Sequence, residues 1–155
     1  MADQKEKVSI LYVDDEENNL VSFKATFRIK YKVYTAISGE EALDILEKNT
    51  IHVIITDQRM PNMTGVEFLE KVLEQHAGPI RVLLTGYTDM SAIIDAVNKG
   101  KIFHYLTKPW NEEELTETID RAYQIYVERE RIKAMNDQLT ISNEQLEFIR
   151  QKLLS

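Results

Sequence analysis

Four short apolar runs punctuate the chain, and each ends on a residue suited to phosphoryl chemistry. Val8-Ser9-Ile10-Leu11-Tyr12-Val13 runs into Asp14-Asp15, and His52-Val53-Ile54-Ile55-Thr56 runs into Asp57. Ile80-Arg81-Val82-Leu83-Leu84 runs into Thr85, and Phe103-His104-Tyr105-Leu106-Thr107 runs into Lys108. A fifth segment, Lys32-Val33-Tyr34-Thr35-Ala36, alternates with period two, the signature of a strand. The runs at 53–55 and 82–84 are apolar without alternation, as strands buried on both faces should be.

Segments of helical period lie between these runs. Leu20, Phe23 and Phe27 recur at spacings of three and four within 16–29, and Ala42, Leu43, Ile45 and Leu46 follow Ser38-Gly39-Glu40-Glu41. Ser38 with Glu41 three residues on is a capping-box pattern. A loop with Pro61, Asn62 and Gly65 leads into a helix over 66–76. Thr88 or Asp89 is expected to cap a helix through Asn98 that Gly100 ends, and Asn111 to cap the last helix, with Glu112, Glu113 and Glu114 in its first turn. The alternation of strand and helix predicts right-handed crossovers and a parallel sheet covered on both faces. The fold expected is therefore α/β, a doubly wound five-stranded parallel sheet over about 7–126, with an extended C-terminal helix.

The apolar phase changes at the end of the chain. Leu115, Ile119, Ala122 and Tyr126 follow the spacing of a helix packed on a sheet, and then Ile132, Met135, Leu139, Ser142, Leu146, Ile149 and Leu153 recur at 3-4 spacing. That is the seam of a coiled coil, with Ser142 as its polar member. With neither Gly nor Pro between Asn111 and Ser155, one long helix is expected, its apolar stripe rotating near 126–132. The segment 127–155 is read as a helical extension that forms a homodimer or links to an output domain, and the heptad still running at Leu153 suggests that the chain continues in a larger protein.

Composition narrows the chemistry. The 155-residue chain has no cysteine, which excludes disulfides, thiolate catalysis and Cys-based zinc sites. Its apolar fraction of 43% permits a packed core. The net charge is −7, and all of the excess lies in residues 1–126, with 21 acidic against 14 basic side chains. An acidic body argues against a nucleic-acid surface. The polar stretch Met1–Lys7 has no apolar core of a secretory signal, and no run is long enough to span a membrane, so a cytoplasmic placement is expected. His52, His76 and His104 share no metal-ligand spacing.

If the strands are parallel, Asp14, Asp15, Asp57, Thr85 and Lys108 meet outside the carboxyl ends of the sheet, where open α/β sheets place ligands. Three carboxylates together are electrostatically poor without a cation, and an all-oxygen carboxylate site suits Mg²⁺, or Mn²⁺. A carboxylate can also act as nucleophile and form an aspartyl phosphate. Lys108 would neutralise developing phosphoryl charge, Thr85 could donate a hydrogen bond, and Pro109 is a candidate for a cis peptide that aims the lysine.

The set Asp14-Asp15, Asp57, Thr85-Gly86, Tyr105 and Lys108-Pro109, with Met60-Pro61-Asn62-Met63-Thr64-Gly65, resembles the receiver domain of bacterial response regulators. The stretch from Gly100 to Trp110 resembles a subgroup whose receivers precede varied output domains, including cyclic-di-GMP phosphodiesterases and protein phosphatases. The resemblance implies a flavodoxin-like strand order 2-1-3-4-5. It implies that Asp57 accepts a phosphoryl group from a histidine kinase or phosphotransfer protein. Asp14, Asp15, Asp57 and the backbone carbonyl of Arg59 would then hold Mg²⁺, while Thr85, Gly86 and Lys108 contact the phosphoryl group. Thr85 and Tyr105 would act as the switch that remodels the 88–126 face. The module would be no enzyme beyond its own phosphorylation and dephosphorylation. Gly86 stands where the family more often has Ala, and the span from Gly100 to Tyr105 is one residue longer than usual.

Other readings are weaker. A haloacid-dehalogenase-like hydrolase wants Asp-x-Asp after the nucleophilic strand, and Asp57-Gln58-Arg59 lacks the second acid. A flavin carrier needs a phosphate loop where Asp14-Asp15-Glu16-Glu17 would repel FMN. A constitutive coiled-coil adaptor would not need the intact acceptor constellation.

Overall fold

The computed structural model describes residues 6–86 and 90–154. Ten elements follow one another in strict alternation. They are β1 (Ser9–Val13), α1 (Glu17–Phe27), β2 (Lys32–Ala36), α2 (Gly39–Lys48), β3 (Val53–Asp57), α3 (Gly65–Gln75), β4 (Ile80–Thr85), α4 (Met90–Asn98), β5 (His104–Thr107) and α5 (Glu112–Leu154). The five strands form one parallel sheet in the order β2-β1-β3-β4-β5, the expected doubly wound arrangement.

The lack of alternation in the central runs has a direct structural cause. Every residue of β1, β3 and β4 is buried, because both sheet faces are covered. Leu11, Val13, Ile54 and Leu83 pack with Ala42 and Leu46 of α2, Phe68, Leu69 and Val72 of α3, and Ile93 and Ala96 of α4. On the other face Ile10, Tyr12, Val53, Ile55, Val82 and Leu84 meet Leu20, Phe23 and Phe27 of α1 and Leu115, Ile119 and Ala122 of α5. The edge strands β2 and β5 are only partly buried.

The helix ends follow local chemistry. Ser38 Oγ accepts from the Glu41 amide at 3.1 Å, and Asn111 Oδ1 accepts from the Glu114 amide at 3.1 Å. Thr64 Oγ1 accepts from the Glu67 amide at 3.2 Å and donates to the Glu67 carboxylate at 3.1 Å, so Thr64 caps α3. Gly100 leaves α4 with a φ of +74°, a left-handed conformation that favours glycine. The start of α4 and its expected cap at Thr88 or Asp89 lie outside the described residues.

One charged residue sits inside the apolar pattern. Arg81 in β4 is 5% exposed. Its guanidinium donates to the carbonyls of Lys101 (2.9 Å), Pro79 (3.2 Å) and Gly100 (3.3 Å), tying down the turn between α4 and β5. Buried guanidinium donors are thereby satisfied by two carbonyls of the α4–β5 turn and one just before β4.

Helix α5 is continuous over 43 residues, about 65 Å at 1.5 Å per residue. Its first turns bury Leu115, Thr118, Ile119 and Ala122. Tyr123 and Tyr126 then close around the His52 ring, with centroids 5.1 and 4.8 Å away. From Val127 to Leu154 the helix leaves the body and every residue is exposed. Ile132, Met135, Leu139, Leu146, Ile149 and Leu153 all face solvent in the single chain. Among the described residues no helix is long and apolar enough to cross a membrane.

Candidate functional site

Parallel strands bring their C-terminal ends to one edge, and the chemistry-bearing residues gather there. Asp14 follows β1, Asp57 closes β3, Thr85 closes β4 and Lys108 follows β5. Register fixes their level: Asp57 lies opposite Leu84, and Thr85 opposite Thr107. Carboxylate oxygens of Asp14, Asp15 and Asp57 all lie within 4.8 Å of one another. Asp14 is fully buried and Asp57 is 6% exposed, while Asp15 is the most open of the three. A cleft of 540 Å³ opens over Asp15, Glu16, Asp57, Gln58, Arg59, Gly86 and Lys108.

The Lys108 ammonium is 2.9 Å from Asp57 Oδ1 and 3.9 Å from Asp14 Oδ2. The Lys108–Pro109 peptide is cis. Burial pushes the Asp57 carboxyl above the usual carboxylate range, opposed by the Lys108 ammonium and the Gln58 amide; the nearby Asp14 charge also raises it. The grouping of three carboxylates around one space, rather than Asp57 alone, is what suits a divalent cation. Asp14 is held more tightly: its Oδ1 accepts from the Glu16 amide at 2.9 Å, and its Oδ2 from the Tyr12 hydroxyl at 2.9 Å and the Asn19 amide at 3.1 Å.

The loop after β3 is shaped by two residues. Gly65 opens α3 against the backbone; a Cβ there would overlap the Asp57 carbonyl and lie 2.7 Å from Leu83 Cδ1. Gln58 caps the same helix from the other side, its Oε1 accepting from the Val66 amide at 2.9 Å. Gln58, Tyr12 and Asn19 are site residues that the strand-end pattern did not single out. Tyr12 carried a signal, since residues two apart in a strand share a face and Tyr12 is two before Asp14.

Thr85 is 2% exposed and its hydroxyl donates to the Gly86 carbonyl at 2.9 Å. Tyr105 pairs with Leu83 across the β4–β5 ladder, two residues below Thr85, so both side chains project to the α4 side of the sheet. Tyr105 is half-buried there, against the cluster that contains Leu83 and Ile93. Among the described residues, nothing lies within 4 Å of a Cβ built on Gly86. The heptad positions lie far along α5 and take no part in this cluster.

The model of the response regulator receiver domain matches residues 10–120. The hydrogenase transcriptional regulatory protein HoxA of Bradyrhizobium diazoefficiens is 36% identical over 118 residues, covering 76% of this chain and 24% of the relative. The DNA-binding transcriptional regulator NtrC of Klebsiella pneumoniae is 34% identical over 93 residues, covering 60% of this chain and 20% of the relative. The chain thus spans about a quarter or less of the length of these curated relatives. Among solved structures, the signal receiver domain of an HD domain-containing protein from Pseudomonas fluorescens Pf-5 superposes with a TM-score of 0.75 at 31% identity, covering 84% of this chain and 98% of that one. A CheY-like response regulator receiver domain protein from Methanospirillum hungatei JF-1 gives 0.74 at 28% identity, covering 80% and 99%.

Proposed function

The chain belongs to the response regulator receiver domain family, and on that premise we propose that it is a phosphoacceptor module that takes a phosphoryl group on Asp57 from a histidine kinase or phosphotransfer protein. The observation that carries the reading is the meeting of Asp14, Asp15 and Asp57 oxygens within 4.8 Å, with the Lys108 ammonium 2.9 Å from Asp57. The acidic donor set fits Mg²⁺, or Mn²⁺, and Asp14, Asp15, Asp57 and the Arg59 carbonyl are the groups that would hold it. A cation there supplies charge neutralisation between carboxylates and phosphoryl oxygens.

In this reading an Asp57 carboxylate oxygen attacks phosphorus in line, and the donor imidazole leaves as the acyl phosphate forms. Lys108 moves its ion pair from Asp57 to the phosphoryl oxygens. Thr85 exchanges its bond to the Gly86 carbonyl for one to the phosphoryl group, and among the described residues no side chain stands over Gly86. Tyr105, on the same side of the sheet, follows into the space that Thr85 vacates, which changes the face made by α4, β5 and the first turns of α5. The chain itself catalyses at most its own phosphorylation and dephosphorylation.

Residues 7–126 are the receiver, and 127–155 form the extension that passes the signal on. Exposure of Ile132, Met135, Leu139, Leu146, Ile149 and Leu153 supports a homodimer through this seam. The small share of the transcriptional regulators that the chain spans supports an output domain outside these residues. The acidic body supports no direct contact with nucleic acid, and a cytoplasmic placement suits a kinase-fed module.

Incubation with acetyl phosphate and Mg²⁺ tests the core of the proposal. One hydroxylamine-labile phosphoryl group per chain, seen by intact mass, is expected for the natural chain and none for Asp57→Asn. No modification, or equal labelling of the variant, overturns it.

A further inference from the structure

The lone pairs of Asp14 are unequally spent. An ionised carboxylate offers about four acceptor positions, two on each oxygen. On Oδ2 both are taken, one by the Tyr12 hydroxyl at 2.9 Å and one by the Asn19 amide at 3.1 Å. Lys108, 3.9 Å from the same oxygen, adds charge but lies beyond hydrogen-bond distance and is closest to Asp57. Among the described residues Oδ1 accepts only from the Glu16 amide, at 2.9 Å, which leaves one position.

The two donors are held by different surroundings. Tyr12 is 1% exposed and its ring stacks on Phe23 at a centroid distance of 4.1 Å. Strand geometry aims its hydroxyl at Asp14, because residues two apart project to the same side. Asn19 sits in the first turn of α1, its amide bridging Asp14 and Glu16.

We propose that Tyr12 and Asn19 are positioning residues that saturate Oδ2 of Asp14 and so restrict this carboxylate to one fixed acceptor position toward a divalent cation. The inference rests on the metal-dependent receiver reading and adds to it a basis for choosing among cations. A carboxylate confined to one oxygen serves the small, octahedral Mg²⁺. A carboxylate free to turn both oxygens inward serves the larger Ca²⁺, which takes bidentate ligands and irregular geometry. Tyr12 and Asn19 therefore act through Asp14 as selectivity-determining groups.

The test is competition of Mg²⁺ and of Ca²⁺ against Mn²⁺ on the full chain, with free Mn²⁺ read by its paramagnetic resonance signal. Tyr12→Phe keeps the ring stack on Phe23 and removes only the hydroxyl. Asn19→Ala removes the other donor at a half-exposed helical position where alanine is favourable, so the answer does not depend on the core variant folding. The ratio of Mg²⁺ to Ca²⁺ affinity is expected to fall about tenfold in each variant, the scale of outer-shell effects at metal sites. In an Asp14→Asn background the same changes should leave the ratio where Asp14→Asn alone sets it. An unchanged ratio in Asn19→Ala and in folded Tyr12→Phe, or an equal drop with Asp14 already replaced, overturns the role of these residues. Failure of the natural chain to take up Mn²⁺ overturns the metal reading beneath it instead.

Discussion

Asp57, Thr85 and Lys108 are legible as candidates because each closes an apolar run, and a parallel sheet delivers all run endings to one edge. Their partners are less legible. Gln58 holds the first turn of α3 and Tyr12 holds Asp14 through bonds that depend on side-chain reach. Glycines near the site separate by the same measure. Gly65→Ala would drive a methyl into the Asp57 backbone and Leu83, and should lower stability by about 2 kcal/mol in urea denaturation. Gly86→Ala, where no atom of the described residues lies within 4 Å of the added methyl, should be neutral or raise stability by about 0.5 kcal/mol. His52 gives a pH prediction. Burial lowers its affinity for a proton, partly opposed by Glu6, and its Nδ1 accepts from the Ser9 amide at 2.9 Å, which requires that nitrogen unprotonated. Above histidine's ordinary value near 6.5 both folded and unfolded chains hold it neutral. Below that value the unfolded chain takes the proton first, so this group's share of stability is lost as pH falls toward the lowered folded value. Urea midpoints between about pH 7.5 and 5 should decline more steeply for the natural chain than for His52→Gln.

At the scale of elements, strands and helices emerged from period and caps, because both are short-range. Ser38 and Asn111 cap where expected, and the heptad-bearing helix is continuous because no Gly or Pro interrupts it. Arg81 escaped the reading: a charge inside an apolar run looks like strand tolerance until Gly100 and Lys101 fold back to present their carbonyls. The tail makes a separable prediction. Ser142 is the polar member of the seam, and Ser142→Leu should tighten self-association of the chain about tenfold or more by sedimentation equilibrium. Removing residues from Ile132 onward should abolish self-association while leaving the thermal midpoint of the body unchanged, since among the described residues none beyond Tyr126 belongs to either apolar cluster of the core.

For the whole molecule, a cation held by the acidic cluster would couple its binding to stability. Three carboxylate groups share a space 4.8 Å across, and a bound cation relieves their repulsion only in the folded state. Mg²⁺ at about 100 times its dissociation constant should add about 2.7 kcal/mol, read as a raised midpoint in calorimetry, and Asp15→Asn should remove most of that increment. By itself the amino-acid order determined the alternation of strands and helices, the double-sided burial of β3 and β4, the family resemblance and the strand-end constellation. These rest on periods of two and 3.6 and on motifs at fixed spacing, which are local properties of a chain. Only the tertiary structure decided which oxygen of Asp14 is spent on Tyr12 and Asn19, that Lys108 lies closer to Asp57 than to Asp14, and that Arg81 anchors the turn before β5. Those outcomes depend on distances of a few tenths of an ångström between groups distant in the chain, and hydrogen bonds and ion pairs are resolved at that scale.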